Sequence, residues 1–591
     1  MLAFKDFSSD RAILEILCKM RVKLAHKRNK DHLIHLHTKS SHKNYHKKDP
    51  TKNEELLCSL FPSRKKWKTV LQHKRFKEGC ARSSSEKTLI SLHATIRYYE
   101  KHELSADFLV RLKSFIKEIQ KAIHEGGHKI GAPKIIPKLK DDKPSLTEQN
   151  ICRPIATFGL KDKIILSITN RYLTAIFDPL FIEQSYAFRY KRMINGNEMC
   201  PTHHEPVEDI LKYRANHKED SLFVAECDIK KFFDTVNHTL IKRNFRQFFE
   251  RKLLSAYPVE DIKNAKRILY DYLDTYTFNH SVLPLNNDQQ HFKKSKILNG
   301  NYAWVENELS SNGYYKRISS AKIGIPQGGA LSGLIANVVL HAIDQKITRH
   351  QDGKLLYVRF CDDMLIIHPD QGKCTMAFND YLHGITSKKL VVHHPVSTPY
   401  AKSRDFWAEK SKSCYLWGSD RGIGSPWIGF VGYEIHYQGH LRVRKSSLLK
   451  EMKKQYKVVG DLKLILKDPK CRSSENEIYE SVANRLIGMS VGRANLWNFK
   501  GLKNEMCWTS GYRLLTDNKY SRIQLKRLDS SRNRLLMKLR NKISKMGNGE
   551  QKDDQNNKKK AKATEPIYYG YPFSYYYQTL KNHLKERDIV K

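Results

Sequence analysis

The stretch YVRFCDDMLII (residues 357–367) decides the fold of this chain. An apolar run lies on each side of the adjacent carboxylates Asp362 and Asp363, and this pattern predicts a strand, an acidic turn and a second strand. Asp is a common turn residue, so an Asp pair in a turn also has an ordinary structural interpretation. Its meaning depends on the segments that precede it.

Two such segments come first. AECDIKKFFDTVNH (225–238) predicts a strand that ends near Asp228 and enters a turn, and IGIPQGGALSGLIANVVLHAID (323–344) predicts a glycine-rich turn that opens a helix from Ser332 to Ile347. Mg2+ prefers hard oxygen ligands. Two such ions, about 3.5–4 Å apart, can hold the attacking and leaving oxygens of an in-line displacement. The three carboxylates in this order predict a two-metal nucleotidyl transferase.

Two residues that follow Asp228 have competing interpretations. The ring of Phe233 can exclude the 2′-hydroxyl of an incoming nucleotide and so favour deoxynucleotides, or it can be a core residue beside Phe232. Asp234 stands where a helix begins, and we favour helix capping for it.

The glycine-rich turn suits the close approach of a base pair. Gly328 and Gly329 lack the side chains that would keep the backbone away from a base pair and its sugar, while Gln327 and Ser332 offer side-chain hydrogen bonds. A simple helix-capping turn would contain the same residues. The position of the turn between the two acidic segments favours the functional interpretation.

The charge of the chain indicates a polyanionic partner. Lys and Arg number 106 against 62 Asp and Glu in 591 residues, which gives a formal net charge of +44 spread along the sequence. Nucleic acid is the first candidate. The 11 cysteines form no CxxC pair, no apolar run is long enough to span a bilayer, and the N-terminus lacks the pattern of a signal peptide. We therefore expect a cytoplasmic protein that does not bind membranes.

The remaining sequence divides into regions by periodicity and composition. His32, His35 and His37 belong to a basic arm (21–55) that we expect to touch phosphates, since no carboxylate or thiol completes a metal-ligand set. The other predicted regions are helices over 88–124, an extended segment over 132–140, a buried helix over 161–177, and an interval over 239–320 that begins helical and holds at least one loop. They are followed by a loop-like stretch over 403–427, a hairpin with its turn near Gln438–Gly439, helices over 446–545 and a linker over 545–566.

Together these segments resemble the palm of a reverse transcriptase. DIKKFFDTVNH (228–238) is similar to the first catalytic motif of that family, the glycine-rich segment to the second, and RFCDDMLI (359–366) to the acidic dipeptide motif. FVGYEIHYQGHLRVR (430–444) resembles the hairpin that grips the primer, and residues 153–189 resemble the fingers of bacterial, group II intron-like members. The resemblance covers about residues 115–540.

The resemblance implies an α+β right-hand polymerase fold with fingers, a ferredoxin-like palm and a helical thumb. The implied regions are a basic N-terminal extension (1–110), fingers (111–220), a palm (221–445) with an insertion (239–320), a thumb (446–545), and a linker with a Tyr-rich C-terminal tail (546–591).

The resemblance also implies roles for individual residues. Asp228, Ile229, Asp362 and Asp363 would hold two Mg2+ ions, or Mn2+ in their place. The nucleotide contacts would be Arg153, Lys161, Lys163, Phe233, Gln327 and Gly328. The nucleic-acid contacts would be Arg189, Arg442, Arg444 and Lys445.

Departures from the family pattern narrow the branch. Cys361 replaces the usual Ala before the acidic pair, Gly333 replaces the usual Pro, and His393 with His394 stands where a Lys is common. We find neither an endonuclease element nor the signatures of retron enzymes. The sequence looks most similar to the uncharacterised, defence-associated bacterial reverse transcriptases. That likeness implies dNTPs, an RNA template supplied by a dedicated noncoding RNA, a DNA product, and a homo-oligomer or a second reverse transcriptase as partner.

Two other functions stay open at this stage. The chain could be a maturase-like RNA-binding scaffold that keeps the fold without synthesis. It could also polymerise with little template use and start from a tyrosine hydroxyl, because the tail carries the cluster Tyr568, Tyr569, Tyr571, Tyr575, Tyr576 and Tyr577. For this cluster we favour docking of the tail or stacking on RNA.

Overall fold

The computed structural model describes residues 2–29, 50–77, 80–140, 147–194, 197–349, 352–419, 423–465, 474–492, 507–547 and 570–578. The chain forms two compact units: the first unit comprises Met1–Ile16 and Arg111–Val431, and the second comprises Leu17–Val110 and Gly432–Lys591. The N-terminal extension predicted over 1–110 is therefore divided between the two units.

Some predictions fall outside the described residues. They include the three histidines of the basic arm, most of the predicted linker, and Tyr568 with Tyr569 of the tail. No helix within the described ranges is long and apolar enough to cross a membrane.

Helices are numbered in chain order. They are α1 Phe4–Phe7, α2 Asp10–Asn29, α3 Lys52–Ser59, α4 Ser84–His102, α5 Asp107–His124, α6 Leu160–Phe177, α7 Glu205–Asn216, α8 Phe232–Thr235, α9 His238–Phe249, α10 Val259–Asp274, α11 Phe278–Ser281, α12 Gln289–Lys293, α13 Glu306–Ser311, α14 Ser332–Thr348, α15 Gln371–Ser387, α16 Ser403–Ala408, α17 Lys445–Ile465, α18 Glu475–Val491, α19 Trp508–Gly511 and α20 Lys519–Gly547.

Strands are numbered in the same way. They are β1 Phe76–Lys77, β2 Cys80–Ala81, β3 Lys134–Leu139, β4 Asn150–Thr157, β5 Arg192–Ile194, β6 Asn197–Met199, β7 Phe223–Lys230, β8 Gly300–Asn301, β9 Leu356–Phe360, β10 Asp363–His368, β11 Val391–Val392, β12 Lys412–Trp417, β13 Gly424–Ser425, β14 Trp427–Phe430, β15 Tyr433–His436 and β16 Leu441–Val443.

The central sheet of the first unit has the strand order β13-β12-β7-β10-β9, with β11 also paired to β7. β7 is antiparallel to both β10 and β12, and β10 is antiparallel to β9. β10 is buried from Met364 to His368, which explains its continuous apolar run, and β7 is buried from Val224 to Cys227. Helix α15 packs against β7, β10 and β12 and covers one face of this sheet. The predicted strand–turn–strand around the acidic pair is confirmed.

A second sheet in the first unit joins the predicted fingers segment to the predicted insertion. β3 pairs antiparallel with β4, and β8 from the 239–320 interval pairs in parallel with β4. Buried side chains from both segments form one cluster, consisting of Ile135, Cys152, Ala156, Tyr276, Phe278, Val282, Phe292, Ile297 and Tyr302. The interval is thus a packed part of the first unit. Its predicted helical beginning is confirmed by α9, and the Asn-rich part that follows α10 contains short helices and β8.

The second unit is mainly helical. Its apolar core is formed by one face each of α17, α18 and α20 and contains Val458, Val459, Ile478, Val482, Leu486, Leu536, Leu539 and Ile543. Spacings of three and four residues bring these side chains to one face of each helix. β15 and β16 form the predicted hairpin, whose turn contains Gly439 at a φ of +80°. The helices predicted over 88–124 are confirmed, and those predicted over 446–545 are confirmed for the part of that range that the structure describes.

The loop-like prediction over 403–427 is wrong. This stretch contains α16 and the strands β12 and β13, and it adds two strands to one side of β7. Its pattern looked loop-like because β12 is irregular: the pairing with β7 shifts register between Lys412 and Tyr415. A shift of this kind interrupts the alternation by which a strand is recognised in a sequence.

Candidate active site

The three acidic residues of the sequence motifs meet at one end of the central sheet. Asp228 near the end of β7 and Asp363 at the start of β10 are directly paired Cα partners. Asp362 precedes Asp363 in the turn between β9 and β10. Directly opposed residues of antiparallel strands have their Cβ atoms about 4.5–5.5 Å apart. The pairing therefore brings two carboxylates from segments far apart in sequence to the same point.

A buried arginine, Arg359, stabilises the turn before Asp362. Arg359 donates two hydrogen bonds to the carboxylate of Asp344, at 2.7 and 2.6 Å, and one to the carbonyl oxygen of Cys361 at 2.8 Å. Its side chain is 0% exposed, and that of Asp344 is 1% exposed. Cys361 has a φ of +62°, a region that non-glycine residues seldom occupy. The arginine thus stabilises the strained residue that aims the acidic pair.

The carboxylates influence one another through their charges. Burial, and secondly the charge of Asp228, raises the pKa of Asp362. Both effects disfavour a second negative charge at this point, and a bound cation would relieve both.

A lysine that no sequence motif indicated, Lys410, contacts Asp228. Lys410 donates from Nζ to Oδ2 of Asp228 over 2.6 Å, while Nε2 of His393 lies 3.9 Å from Oδ1. The main chain of Asp228 is also fixed, because its N–H donates to Oγ of Ser411 at 3.0 Å and its carbonyl oxygen accepts from the N–H of His393 at 3.1 Å. The residue that departs from the family pattern, His393, therefore lies directly beside the first carboxylate.

A buried ion pair fixes the strand that delivers Lys410. Lys412 and Glu226 are Cα partners in β12 and β7, and Nζ of Lys412 lies 3.0 Å from Oε2 of Glu226. The hydroxyl of Tyr415 donates to Oε1 of the same glutamate at 2.5 Å. Because charged groups are buried only when they are paired and hydrogen-bonded, this pair sets the register of β12 against β7.

The residues after Asp228 divide into core and surface. Phe232 is buried, whereas Phe233 is partly exposed, so the core interpretation belongs to Phe232. The capping prediction for Asp234 is wrong, because the residue that caps α9 is Asn237, whose side chain accepts from the N–H of Leu240 at 3.1 Å. Asp234 is instead fully buried, and its Oδ1 accepts from Nε2 of Gln327 at 2.7 Å.

The glycine-rich turn lies beside the first motif and beside β4. The N–H of Ile325 donates to the carbonyl oxygen of Phe233 at 2.8 Å, and the N–H of Ala156 donates to the carbonyl oxygen of Gln327 at 2.9 Å. Gly328 has a φ of +90°, which favours glycine. A Cβ on Gly329 would lie 1.9 Å from the hydroxyl oxygen of Tyr272, so this glycine is required by packing.

The other predicted contacts fall into two groups. Arg153 is exposed on β4, and its charge acts on Asp234, which places it near the glycine-rich turn. Lys163 and Lys445 are also exposed. Lys161 lies 3.4 Å from Glu118 in a surface ion pair, and Arg442 is hydrogen-bonded to Glu434, the residue opposite it in the β15–β16 hairpin.

Two further predicted residues differ in their surroundings. Arg444 directly follows β16, the second strand of the hairpin, and its N–H donates to the carbonyl oxygen of Gly432 at 3.0 Å. The prediction of a nucleic-acid contact for Arg189 is wrong. Its guanidinium is buried, donates to Asp178 at 2.7 Å, and also donates to the carbonyl oxygens of Ile182 and Ser185. With its donors used in this way, the side chain holds its own loop together.

The donor set suits a hard divalent cation only in part. Within the described ranges, no group of three or more His, Cys, Asp or Glu side chains is close enough to hold a metal ion. Mg2+ commonly binds through one or two carboxylates, and substrate phosphates and water complete its shell. The opposed pair Asp228 and Asp363 matches that requirement. Ile229 is buried and pairs with Val392, so only its main chain could contribute.

Comparison with known families identifies the chemistry. Residues 138–395 match the model of the family described as reverse transcriptase (RNA-dependent DNA polymerase). This segment contains β7, the glycine-rich turn and the acidic hairpin, which together carry all the catalytic candidates. The match indicates a nucleotidyltransferase. Within that class, the family match identifies the chain as an RNA-directed DNA polymerase.

Solved structures give only distant likenesses. Telomerase from Candida tropicalis in its apo form has 13% identity and a TM-score of 0.35, over 77% of this chain and 74% of that one. Telomerase from Candida albicans with a fragment of telomeric RNA has 13% identity and a TM-score of 0.31, over 78% and 71%. The RNA-dependent RNA polymerase of a human picobirnavirus has 13% identity and a TM-score of 0.31, over 66% and 63%. A comparison with curated proteins found no match.

Proposed function

We propose that this enzyme extends a primer on an RNA template by two-metal-ion transfer from dNTPs, with Asp228, Asp362 and Asp363 as the metal-binding carboxylates. The observation that carries the proposal is the direct pairing of Asp228 with Asp363 across β7 and β10, with Asp362 in the adjoining turn. When bound, two Mg2+ ions would activate the primer hydroxyl and neutralise the charge that develops on the leaving pyrophosphate.

The residues of the chain contribute positioning and charge. Asp228 is held at both its N–H and its carbonyl oxygen, and Arg359 supports the turn of Asp362, so the carboxylates are oriented before substrate arrives. Phe233 is the candidate for excluding a 2′-hydroxyl, because it is the partly exposed member of the Phe pair. Arg153, exposed on β4, is the candidate for the triphosphate.

The template proposal rests on charge. The formal net charge of +44 favours a long polyanion, and each neutralised phosphate contributes a salt-dependent part of the affinity. Two basic helices of the second unit, α17 and α20, carry many of these residues. Template binding should therefore weaken steeply as the salt concentration rises.

The biological setting is a finer proposal. The sequence resembles the defence-associated branch in its 239–320 interval, its hairpin at 430–444 and its helix around residues 528–535. We infer a bacterial, cytoplasmic enzyme that copies a dedicated noncoding RNA in antiphage defence, alone or with a second reverse transcriptase. Sequencing the RNA and DNA that copurify with the protein tests this setting: one recurrent RNA with complementary DNA is expected, and a random mixture would contradict it.

A primer-extension experiment tests the chemistry. Purified protein with a primed RNA template, dNTPs and Mg2+ should make DNA, and the Asp362→Asn, Asp363→Asn double variant should not. Asp370→Asn is the matched control, because Asp370 only caps α15 by accepting from the N–H of Lys373 at 2.8 Å. Equal synthesis by the double variant would show that the carboxylates are wrongly assigned.

A further inference from the structure

Asp234 and Gln327 form a buried side-chain contact between the first motif and the glycine-rich turn. Nε2 of Gln327 donates to Oδ1 of Asp234 at 2.7 Å, although the two residues are far apart in sequence. Asp234 is 0% exposed and caps no helix. Its side chain therefore joins the first motif to the glycine-rich turn.

The surroundings of Asp234 raise the free energy of its ionised carboxylate. Oδ2 accepts no hydrogen bond within the described ranges, and its nearest cation is Nζ of Lys231 at 3.6 Å. Burying a carboxylate with incomplete compensation is unfavourable, and a neutral amide or hydroxyl could hold Gln327 at lower cost. The presence of a carboxylate at this position, instead of a neutral group, must therefore serve a purpose that only a carboxylate can serve.

The reason lies in hydrogen-bond polarity. An ionised carboxylate only accepts hydrogen bonds, so the amide of Gln327 must present its NH2 group to Asp234. Oε1 of Gln327 is then the atom left for another partner, because the hydrogen bond that this side chain makes among the described residues uses Nε2. The main chain of Gln327 is fixed as well, because its carbonyl oxygen accepts from Ala156 and the next residue, Gly328, has a φ of +90°. The direction and the polarity of the side chain are both set.

We propose that Asp234 is a positioning residue that orients Gln327 so that Oε1 accepts a hydrogen bond from a sugar hydroxyl. This inference rests on the proposed function. A polymerase must accept all four bases, whose edges offer different donors, whereas a sugar hydroxyl is the same at every position. Two sources share this chemistry: the 3′-hydroxyl of the incoming dNTP and a 2′-hydroxyl of the RNA template.

The substitution Asp234→Asn should reverse the polarity of the contact. Lys231 lies near the Oδ2 position and favours the carbonyl oxygen of the new Asn there, which turns the Asn NH2 group towards Gln327. Oε1 of Gln327 then accepts from Asn, and its NH2 group faces the substrate instead. We expect kcat/KM for dNTP addition on RNA to fall roughly 3- to 10-fold, the size of one neutral hydrogen bond.

A second substitution should restore the original polarity. In the Asp234→Asn, Gln327→Glu double variant, the Asn NH2 group donates to one carboxylate oxygen of the Glu and leaves the other as an acceptor. Recovery of most of the lost kcat/KM is expected, and a merely structural role for Asp234 would not give it. In a Gln327→Met background, Asp234→Asn should have little further effect. Additive losses, or no recovery in the double variant, would overturn the proposal.

Two substrate arms distinguish the sources of the hydroxyl. If the donor is the 3′-hydroxyl of the dNTP, the loss in Asp234→Asn disappears with 2′,3′-dideoxynucleotides and persists on a DNA template. If the donor is the template 2′-hydroxyl, the loss disappears on DNA and persists with dideoxynucleotides. A loss that persists in both arms would refute the role of Oε1.

Controls separate this inference from the proposed function and from misfolding. Asp162→Asn changes another buried carboxylate, which lies in α6 and accepts a hydrogen bond from Nε2 of His128 at 2.6 Å. This variant should leave kcat/KM unchanged in both substrate arms. If Asp234→Asn fails to fold, wild type and Gln327→Met still give the two-arm comparison. Absence of RNA-templated synthesis by wild type would refute the proposed function, whereas normal synthesis with no effect in either arm would refute the inference alone.

Discussion

Lys410 donates from Nζ to Oδ2 of Asp228 over 2.6 Å, which places a cation on the first carboxylate of the site. Two residues further along, the buried pair of Lys412 and Glu226 fixes the register of β12 against β7. Lys410 lies just before β12, so this pairing holds its segment beside β7. The side chain of Lys410 is 53% exposed, so it can leave Asp228 without opening the core.

Removing this lysine should strengthen cation binding. In Lys410→Met, Asp228 loses a competing positive charge, and we expect severalfold tighter binding of Mn2+ without nucleotide, the scale of one screened charge contact. Electron paramagnetic resonance titration of free Mn2+ measures this directly. Lys410→Arg should resemble wild type, and Lys402→Met, at an exposed lysine elsewhere in the first unit, is the control. Weaker binding in Lys410→Met would mean that the ammonium group assists the metal.

Arg359 should dominate the stability of the acidic turn. In Arg359→Met, the buried carboxylate of Asp344 and the carbonyl oxygen of Cys361 lose their charged donor. Breaking a buried ion pair by removing one partner costs about 3–5 kcal/mol. Urea unfolding should show a loss of this size, while Arg349→Met at an exposed position should change stability by less than about 0.5 kcal/mol. A loss below about 1 kcal/mol for Arg359→Met would contradict this account of the turn.

Residue patterns predicted the acidic hairpin, the helix from Ser332 and the carboxylates, because these features are local. Lys410 could not be found in this way. The strand that follows it, β12, contains the buried charge of Lys412 and a register shift, and its partner Asp228 lies 182 residues earlier in the chain. Asp234 was misassigned for the same reason, since its partner Gln327 is distant in sequence and a turn Asp usually caps a helix.

Arg189 shows the opposite error. The resemblance of residues 153–189 to the fingers of the family implied a nucleic-acid contact for this arginine. The partner that neutralises it, Asp178, lies at the end of α6 and comes near only when the chain folds back after that helix. A sequence gives the charge of a side chain, but whether that charge is free depends on packing.

Phe233 should control the choice of sugar. Phe233→Val removes the partly exposed ring that follows Asp228 by five residues, and we expect the ratio of ribonucleotide to deoxynucleotide incorporation to rise roughly 10- to 100-fold. Competition assays with dNTP and rNTP pairs measure the ratio. Phe232→Val is a matched control, because this buried ring should affect stability, by about 1–3 kcal/mol, and not selectivity. An unchanged ratio in Phe233→Val would remove Phe233 from the sugar site.

Asp234 should make stability depend on pH. Burial raises the pKa of this carboxyl to about 6 from an ordinary value of 3.8, although the positive charges of Lys231 and Arg153 oppose the rise. A raised pKa in the folded state gives a stabilisation that is complete below the ordinary value and is lost as the pH rises through about 6. Asp234→Asn should therefore gain stability relative to wild type between about pH 4 and about pH 8, by on the order of 3 kcal/mol.

Urea unfolding of wild type and variant at the two pH values gives this difference. Asp370→Asn, the same chemical change at the exposed cap of α15, is the control and should show no such gain. A difference between Asp234→Asn and wild type that stays constant with pH would show that the carboxyl does not titrate as expected.

The Tyr-rich tail should act as a docked segment of the second unit. Asp529 of α20 accepts from the N–H groups of Phe573 and Ser574 at 3.0 Å each, and the hydroxyl of Tyr577 donates to the carbonyl oxygen of Tyr512 at 3.0 Å. Tyr576 is buried as well, which confirms docking for these two tyrosines and keeps their hydroxyls from serving as primers.

In Asp529→Ala the tail loses its anchor, so limited proteolysis should cut near residue 570 much faster than in wild type. The free energy of unfolding of this unit should fall by about 1–3 kcal/mol. DNA synthesis should continue in both proteins without label that stays attached to protein. Protease-resistant label on the DNA product, lost in Tyr571→Phe, would instead establish priming by the exposed tyrosine of the tail.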